Sequence, residues 1–103
     1  MDVFETESAI IVRIEIPGVR GEDLRVNVDG TFLRISGVRK VPAHLSVKRL
    51  LQMEIAFGPF ERDVRIGIAF DRDQVSARLE DGFLSVTLPK VKPVRREVSV
   101  ESE

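Results

Sequence analysis

The sequence predicts an all-β fold, an antiparallel β-sandwich or barrel. Three observations carry that expectation. Apolar and polar residues alternate in run after run, the period of a half-buried strand. The runs are short, and Pro-Gly, Asp-Gly and Gly-Pro pairs separate them at intervals of about 8–12 residues. No stretch makes a convincing case for a helix. Many short strands with turn residues between them pack as two antiparallel sheets or close into a barrel.

In SAIIVRIEI, Ile10, Val12, Ile14 and Ile16 share one face, and Arg13 and Glu15 take the other. Pro17-Gly18 then turns the chain, proline presetting φ and glycine supplying a positive φ. In DLRVNV, Leu24, Val26 and Val28 face one way, and Arg25 and Asn27 the other. Asp29-Gly30 follows, then TFLRIS with Leu33 and Ile35 on one face. Asp-Gly between alternating runs is a strong hairpin signal, because both turn positions call for positive φ. Residues 37–50 are less regular and read as a long loop. It leads into LLQMEIAF, where Leu51, Met53, Ile55 and Phe57 alternate. After Gly58-Pro59, FERDVRIGIAF places Phe60, Val64, Ile66 and Ile68 together. The polar turn DRDQ leads to QVSARL, with Val75, Ala77 and Leu79 on one face. Asp81-Gly82 then turns the chain into FLSVTL, with Leu84, Val86 and Leu88 together. The expectation is about eight strands, a domain over residues 1–90 and a charged C-terminal extension over 91–103.

Composition narrows the function. The chain has 103 residues, which suits one domain with one core. Charged residues make up 32% and hydrophobic residues 43%, as in an ordinary globular protein. Sixteen Lys and Arg stand against 17 Asp and Glu, for a net charge of −1, and the basic residues are scattered among acids. No electrostatic case exists for nucleic acid or an anionic membrane as partner. The sequence contains no cysteine, which excludes disulfides, thiol nucleophiles and cysteine-ligated zinc. No apolar run reaches the roughly 20 residues of a membrane span, and the acidic start MDVFETES lacks a signal-peptide core. A cytoplasmic protein is expected.

Nothing in the sequence is arranged for catalysis. His44 is the only histidine and lies in the irregular loop. Asp71 and Asp73 flank Arg72 in a polar turn, where solvated carboxylates are ordinary, and Glu80 and Asp81 sit at another turn. No phosphate loop, nucleophile elbow or metal spacing occurs. No enzyme activity, cofactor or metal is expected.

Three features need a purpose. Arg62 falls in step with Phe60, Val64 and Ile66, on an apolar face. A cation there either snorkels out or meets a partner, on its own chain or on another. The long loop ending in LLQMEIAF is unusual in a compact domain. Its alternation is that of a strand seeking a partner, either within the chain or on a second copy. Lastly, Val98-Ser99-Val100 stands in a charged tail, after Pro93 and Arg95-Arg96. Two β-branched residues at i and i+2 point the same way on an extended segment and suit docking beside a strand edge.

These features converge on a resemblance. Ala77-Arg78-Leu79-Glu80-Asp81-Gly82-Phe83-Leu84 follows the pattern A-x-x-x-[ND]-G-x-L, and Leu88-Pro89-Lys90 comes next. Upstream, VRIEIPGVRGEDLRVNVDGTFLRISGVR and FGPFERDVRI complete the match. The sequence resembles the small heat-shock proteins, in their bacterial and plant α-crystallin domain, over essentially residues 2–100.

The resemblance implies an immunoglobulin-like antiparallel β-sandwich whose long loop carries a dimer-exchange strand. It implies an ATP-independent chaperone that holds partly unfolded clients and prevents their aggregation. A homodimer would form when the Leu51, Met53, Ile55 and Phe57 strand pairs with Val3, Phe4 and Glu5 of a second copy, with Arg62 at that interface. Val98 and Val100 would match the family's tail motif and dock between two edge strands, in a groove lined by Leu24, Val26, Val28, Val75, Ala77 and Leu79. Asp81 and Gly82 would make the tight turn beside that groove.

Departures from the pattern carry expectations of their own. Ile66-Gly67-Ile68 stands where the family has Leu-Pro, with little functional effect expected. Valine in place of isoleucine removes a methylene from each tail anchor, worth about 0.8 kcal/mol when fully buried. The family's N-terminal arm is expected to be missing, unless a longer natural N-terminus was removed ahead of Met1, so assembly is expected to stop at dimers or small oligomers, with altered chaperone activity. A co-chaperone or adaptor sandwich that binds one folded partner is the alternative reading. A purely structural sandwich is the third.

Overall fold

A computed structural model describes residues 1–92 and 97–102. Seven strands form two antiparallel sheets, with two short 3-10 turns at Gly21–Asp23 and Arg72–Gln74. The strands are β1 (Asp2–Glu5), β2 (Ala9–Glu15), β3 (Leu24–Asp29), β4 (Phe32–Arg39), β5 (Gly58–Arg65), β6 (Ser76–Glu80) and β7 (Phe83–Pro89). One sheet has the order β1-β2-β7-β6 and the other β3-β4-β5. The all-β antiparallel sandwich expected from the alternation is the observed fold.

The core is built where alternation and register coincide. Ile10, Val12 and Ile14 of β2 lie opposite Leu88, Val86 and Leu84 of β7. Leu33 and Ile35 of β4 supply the facing sheet's contribution, and all eight are buried. A one-residue slip would move each of these sets to the solvent face, so the pattern fixes the register. Ile16, Val19 and Ile66 close the ends of the same cluster.

The turns follow glycine chemistry, with one shift from expectation. Ile16 to Val19 closes around Pro17-Gly18, with Gly18 at φ +81° and the Val19 N–H donating to the Ile16 carbonyl at 3.3 Å. The Asp81-Gly82 pair takes the expected form, with φ of +53° and +80° between the opposed residues Glu80 and Phe83. The earlier Asp-Gly does not. Asp29 is opposed to Phe32, so the turn residues are Gly30 and Thr31, and of these Gly30 alone has positive φ, at +60°. The hairpin register moved the turn by one residue, to the form that needs positive φ only at its first position.

Three further expectations are corrected. Residues 50–57 are not a strand in the single chain, which leaves seven strands among the described residues rather than eight. Alternation alone does not make a strand: it needs a hydrogen-bonding edge, and among the described residues none pairs with this segment. Ile68 does not continue the face of Phe60 and Val64. β5 ends at Arg65, and Ile68 stands 36% exposed beyond it. Ala77 is also exposed, on an edge strand whose neighbours Val75 and Leu79 are only half-buried. The expected C-terminal extension includes residues 93–96 and 103, which lie outside the described residues.

Candidate functional site

Among the described residues four strands have an open edge: β1 and β6 in one sheet, β3 and β5 in the other. Each presents unpaired backbone groups on one side, the feature that recruits further strands. The expected site residues sort onto these edges and onto two segments beside them.

β1 is held by its ladder to β2, with Val3 opposite Val12 and Phe4 opposite Ile11. Val3 therefore shares the inner face and Phe4 the outer one. Both remain 48% exposed, because β1 has nothing on its far side. The Thr6 hydroxyl fixes the turn into β2, donating to the Ala9 carbonyl at 3.1 Å and accepting from the Ala9 N–H at 3.0 Å. Glu5 accepts from the Lys90 ammonium at 2.8 Å, which ties the edge strand to the end of β7. Sequence reasoning missed this pair, since the two residues are far apart in the chain and only the sheet order brings them together.

The segment between β4 and β5 is an arm that leaves and returns at one rung, because Arg39 and Gly58 are opposed partners. Along it Leu51 is 85% exposed, and Met53 and Ile55 are exposed as well, while Phe57 at the root is half-buried. The described residues have a radius of gyration of 20.3 Å, against about 13 Å for a compact chain of 100 residues. An extended arm fits that excess.

Arg62 is opposite Ile35, a fully buried residue, so its backbone lies on the core-facing row as expected. The side chain is exposed, because β5 is an edge and the guanidinium escapes there. It borders an open cleft of about 270 Å³ with Ile14, Ile16, Phe57 and Phe60. Among the described residues it has no ion-pair partner. By contrast Arg34, on the outer face of the same sheet, lies between Glu61 at 3.1 Å and Asp63 at 2.9 Å. The hydrogen bond that Arg34 donates to Asp63, and then the Asp63 charge, raise the Arg34 pKa above the usual arginine value.

The expected docking groove maps onto the other pair of edges. Leu24, Val26 and Val28 occupy the inward positions of β3, and Leu79 does so on β6, with Val75 just before it. All five are half-buried and pack against the core cluster from the side that no strand covers. Asp81 and Gly82 turn the chain at the end of β6, where the Gly82 carbonyl accepts from Ile16 at 2.7 Å. Val98 and Val100 are 78% and 92% exposed, so neither side chain sits in a groove of its own chain.

His44 is exposed at the start of the arm, near the Lys40–Asp23 ion pair. Among the described residues no group of three or more His, Cys, Asp or Glu is placed to hold a metal ion. Among the same residues no helix is long and apolar enough to cross a membrane.

Comparison with known proteins agrees with this geometry. The model of the Hsp20/alpha crystallin family matches residues 2–101. A small heat shock protein C2 of Rickettsia felis is 30% identical over 86% of the chain and 58% of its own length. A 17.8 kDa class I heat shock protein of Arabidopsis thaliana is 32% identical over 99% of the chain and 66% of its own length. The chain thus spans about three fifths to two thirds of the length of these curated relatives. Heat shock protein 16.0 from Schizosaccharomyces pombe superposes with a TM-score of 0.81 at 33% identity, over 97% of this chain and 94% of that one. The family match covers nearly the whole chain, and the chain belongs to the Hsp20/alpha crystallin family of small heat shock proteins.

Proposed function

We propose that the protein is an ATP-independent chaperone that holds partly unfolded proteins and keeps them from aggregating. In this reading its working unit is a homodimer. The Leu51-to-Phe57 segment of each copy adds to the β1 edge of the other, and Arg62 lies at that interface. Val98 and Val100 dock on a neighbouring copy, between β3 and β6. The single observation that carries the reading is the arm itself, an alternating apolar segment left exposed beside a sheet with an open edge. Strand addition would supply the backbone partners that both lack, and the alternation would give one face apolar contacts. The half-buried side chains between β3 and β6 support tail docking in the same way.

An ATP-free holding activity also fits the chemistry of the chain. Such a protein needs apolar surface that it can cover and uncover, and no reaction centre. The covering is reversible if each contact is a modest edge addition rather than a closed core.

The test has two parts. Light scattering of a thermally unfolding client protein, with and without this chain and with no nucleotide, reads the holding activity. Solution mass of the chain and of a Val98→Gly/Val100→Gly variant reads the assembly. Suppressed aggregation with a dimer in both samples supports arm exchange, with the tail idle in assembly. A larger species that falls to dimer in the variant supports tail docking as well. A monomer in both, with no suppression, overturns the reading in favour of an adaptor that binds one folded partner.

A further inference from the structure

We propose that Arg39 is a positioning residue that fixes the direction in which the arm leaves the sandwich, and so sets the geometry of assembly. The inference deepens the strand-exchange reading and rests on it for its functional consequence.

The arm is an excursion from a single rung, with Arg39 on one side and Gly58 on the other. A flexible excursion of that kind would sample a wide cone of directions. Docking on a second copy would then carry the entropy of ordering it. Arg39 restricts the root. Its Nε donates to the Pro17 carbonyl at 2.9 Å, and its Nη1 donates to the Ala56 carbonyl at 3.1 Å. Pro17 belongs to the turn that ends β2, in one sheet. Arg39 ends β4, in the other. Ala56 is the returning arm. One guanidinium therefore ties three separate parts of the fold, which its planar fork of donors allows and a lysine ammonium cannot reproduce.

The neighbouring geometry works in the same direction. The Phe57 N–H donates to the Ile55 carbonyl at 3.0 Å, a tight turn that aims the Ala56 carbonyl at Arg39. Gly58 then takes φ +110°, a conformation open essentially to glycine alone. At the departing end, Lys40 pairs with Asp23 at 2.9 Å. Both roots of the arm are held, while Leu51, Met53 and Ile55 beyond them are exposed. Rigid roots with a free middle make a segment already pointed at its partner, which lowers the ordering cost of docking.

The experiment compares the full chain with Arg39→Met and Arg39→Lys. Backbone order parameters at Ala56 and Phe57 report the root, sedimentation at several concentrations reports the dimer Kd, and the urea midpoint reports folding. The expected result for Arg39→Met is a fall in the order parameters from about 0.8 to below about 0.6, with the dimer Kd weakened about tenfold and the urea midpoint little changed. Arg39→Lys, which reaches one carbonyl, should fall between, and it carries the test if Arg39→Met does not fold. Unchanged order parameters overturn the proposal, as does a dimer Kd within twofold of the parent. A parent chain that stays monomeric overturns strand exchange instead. The order parameters then decide by themselves whether Arg39 holds the root.

Discussion

Ile35 and Ile55 are the same residue in the same kind of sequence, an alternating apolar run, and they end in opposite surroundings. Ile35 is fully buried at the centre of the sandwich, with β3 on one side and β5 on the other. Ile55 is 62% exposed on the arm. The difference lies in whether the chain supplies a neighbouring strand. At the centre each alternating run has two partners and a facing sheet. On the arm the run has neither. The same comparison separates Val12 from Val3, opposed on one rung of adjacent strands. Val12 is covered by β7, and Val3 is on the last strand. Alternation measures a readiness to be half-buried, and topology decides whether the burial happens within the chain.

The comparison is broken most directly at its buried side. Ile35→Ala should destabilise the sandwich by about 2–5 kcal/mol, because surrounding side chains close only part of the cavity. Urea unfolding checks this, in a Met53→Asp/Ile55→Asp background so that association does not contribute. A loss near zero would mean the centre is no better packed than the edges.

Gly37→Ala tests the packing of β4 against what lies beside it. A Cβ there would meet the Asp23 carbonyl oxygen at 2.6 Å and the Phe60 Cζ at 2.9 Å. Backbone on one side leaves little room to relax, and a loss of about 1–3 kcal/mol is expected from the same measurement.

On the exposed side the expectation reverses. Met53→Asp/Ile55→Asp changes two exposed residues, and the stability of the single chain should move by no more than about 0.5 kcal/mol. Sedimentation should show the dimer lost. A retained dimer would mean that the arm contributes nothing to assembly and that its alternation is incidental.

The smallest effect concerns the departing root of the arm. The hydrogen bond to Asp23, and then its charge, raise the Lys40 pKa above the usual lysine value. A raised folded-state pKa gives stability that is fully present below the unfolded pKa and is lost as pH rises through the folded one. The contribution therefore holds at neutral pH and disappears only in strong alkali. Asp23→Asn should return the Lys40 titration, followed by NMR, to the ordinary range. Because Lys40 is exposed, the urea midpoint at neutral pH should barely change.

Much of this was legible from residue order. Ile10, Val12 and Ile14, and likewise Leu84, Val86 and Leu88, were assigned to one face by alternation and are buried together. Pro17-Gly18 and Asp81-Gly82 carry turn chemistry in the sequence and are turns in the fold. Two kinds of feature were not legible. The Gly30-Thr31 turn depends on pairing register, which a dipeptide signal fixes only to within a residue. The clamps of Arg39 on Pro17 and Ala56, and of Lys90 on Glu5, join residues far apart in the chain. Arg39 also binds backbone carbonyls, which every residue carries, so no partner side chain could mark it. Arg62 lies between these cases. Its row was legible, but its exposure follows from β5 being an edge.

By itself, then, the sequence determined the strand-forming segments, the faces they bury and most of the turns, since those depend on side chains two residues apart and on the φ that each residue tolerates. The tertiary structure decided which strands lie at the edges, where the arm departs and what holds its roots. Those outcomes depend on which segments meet in space, and a hydrogen bond between Arg39 and Ala56 exists only once β4 and β5 share a rung.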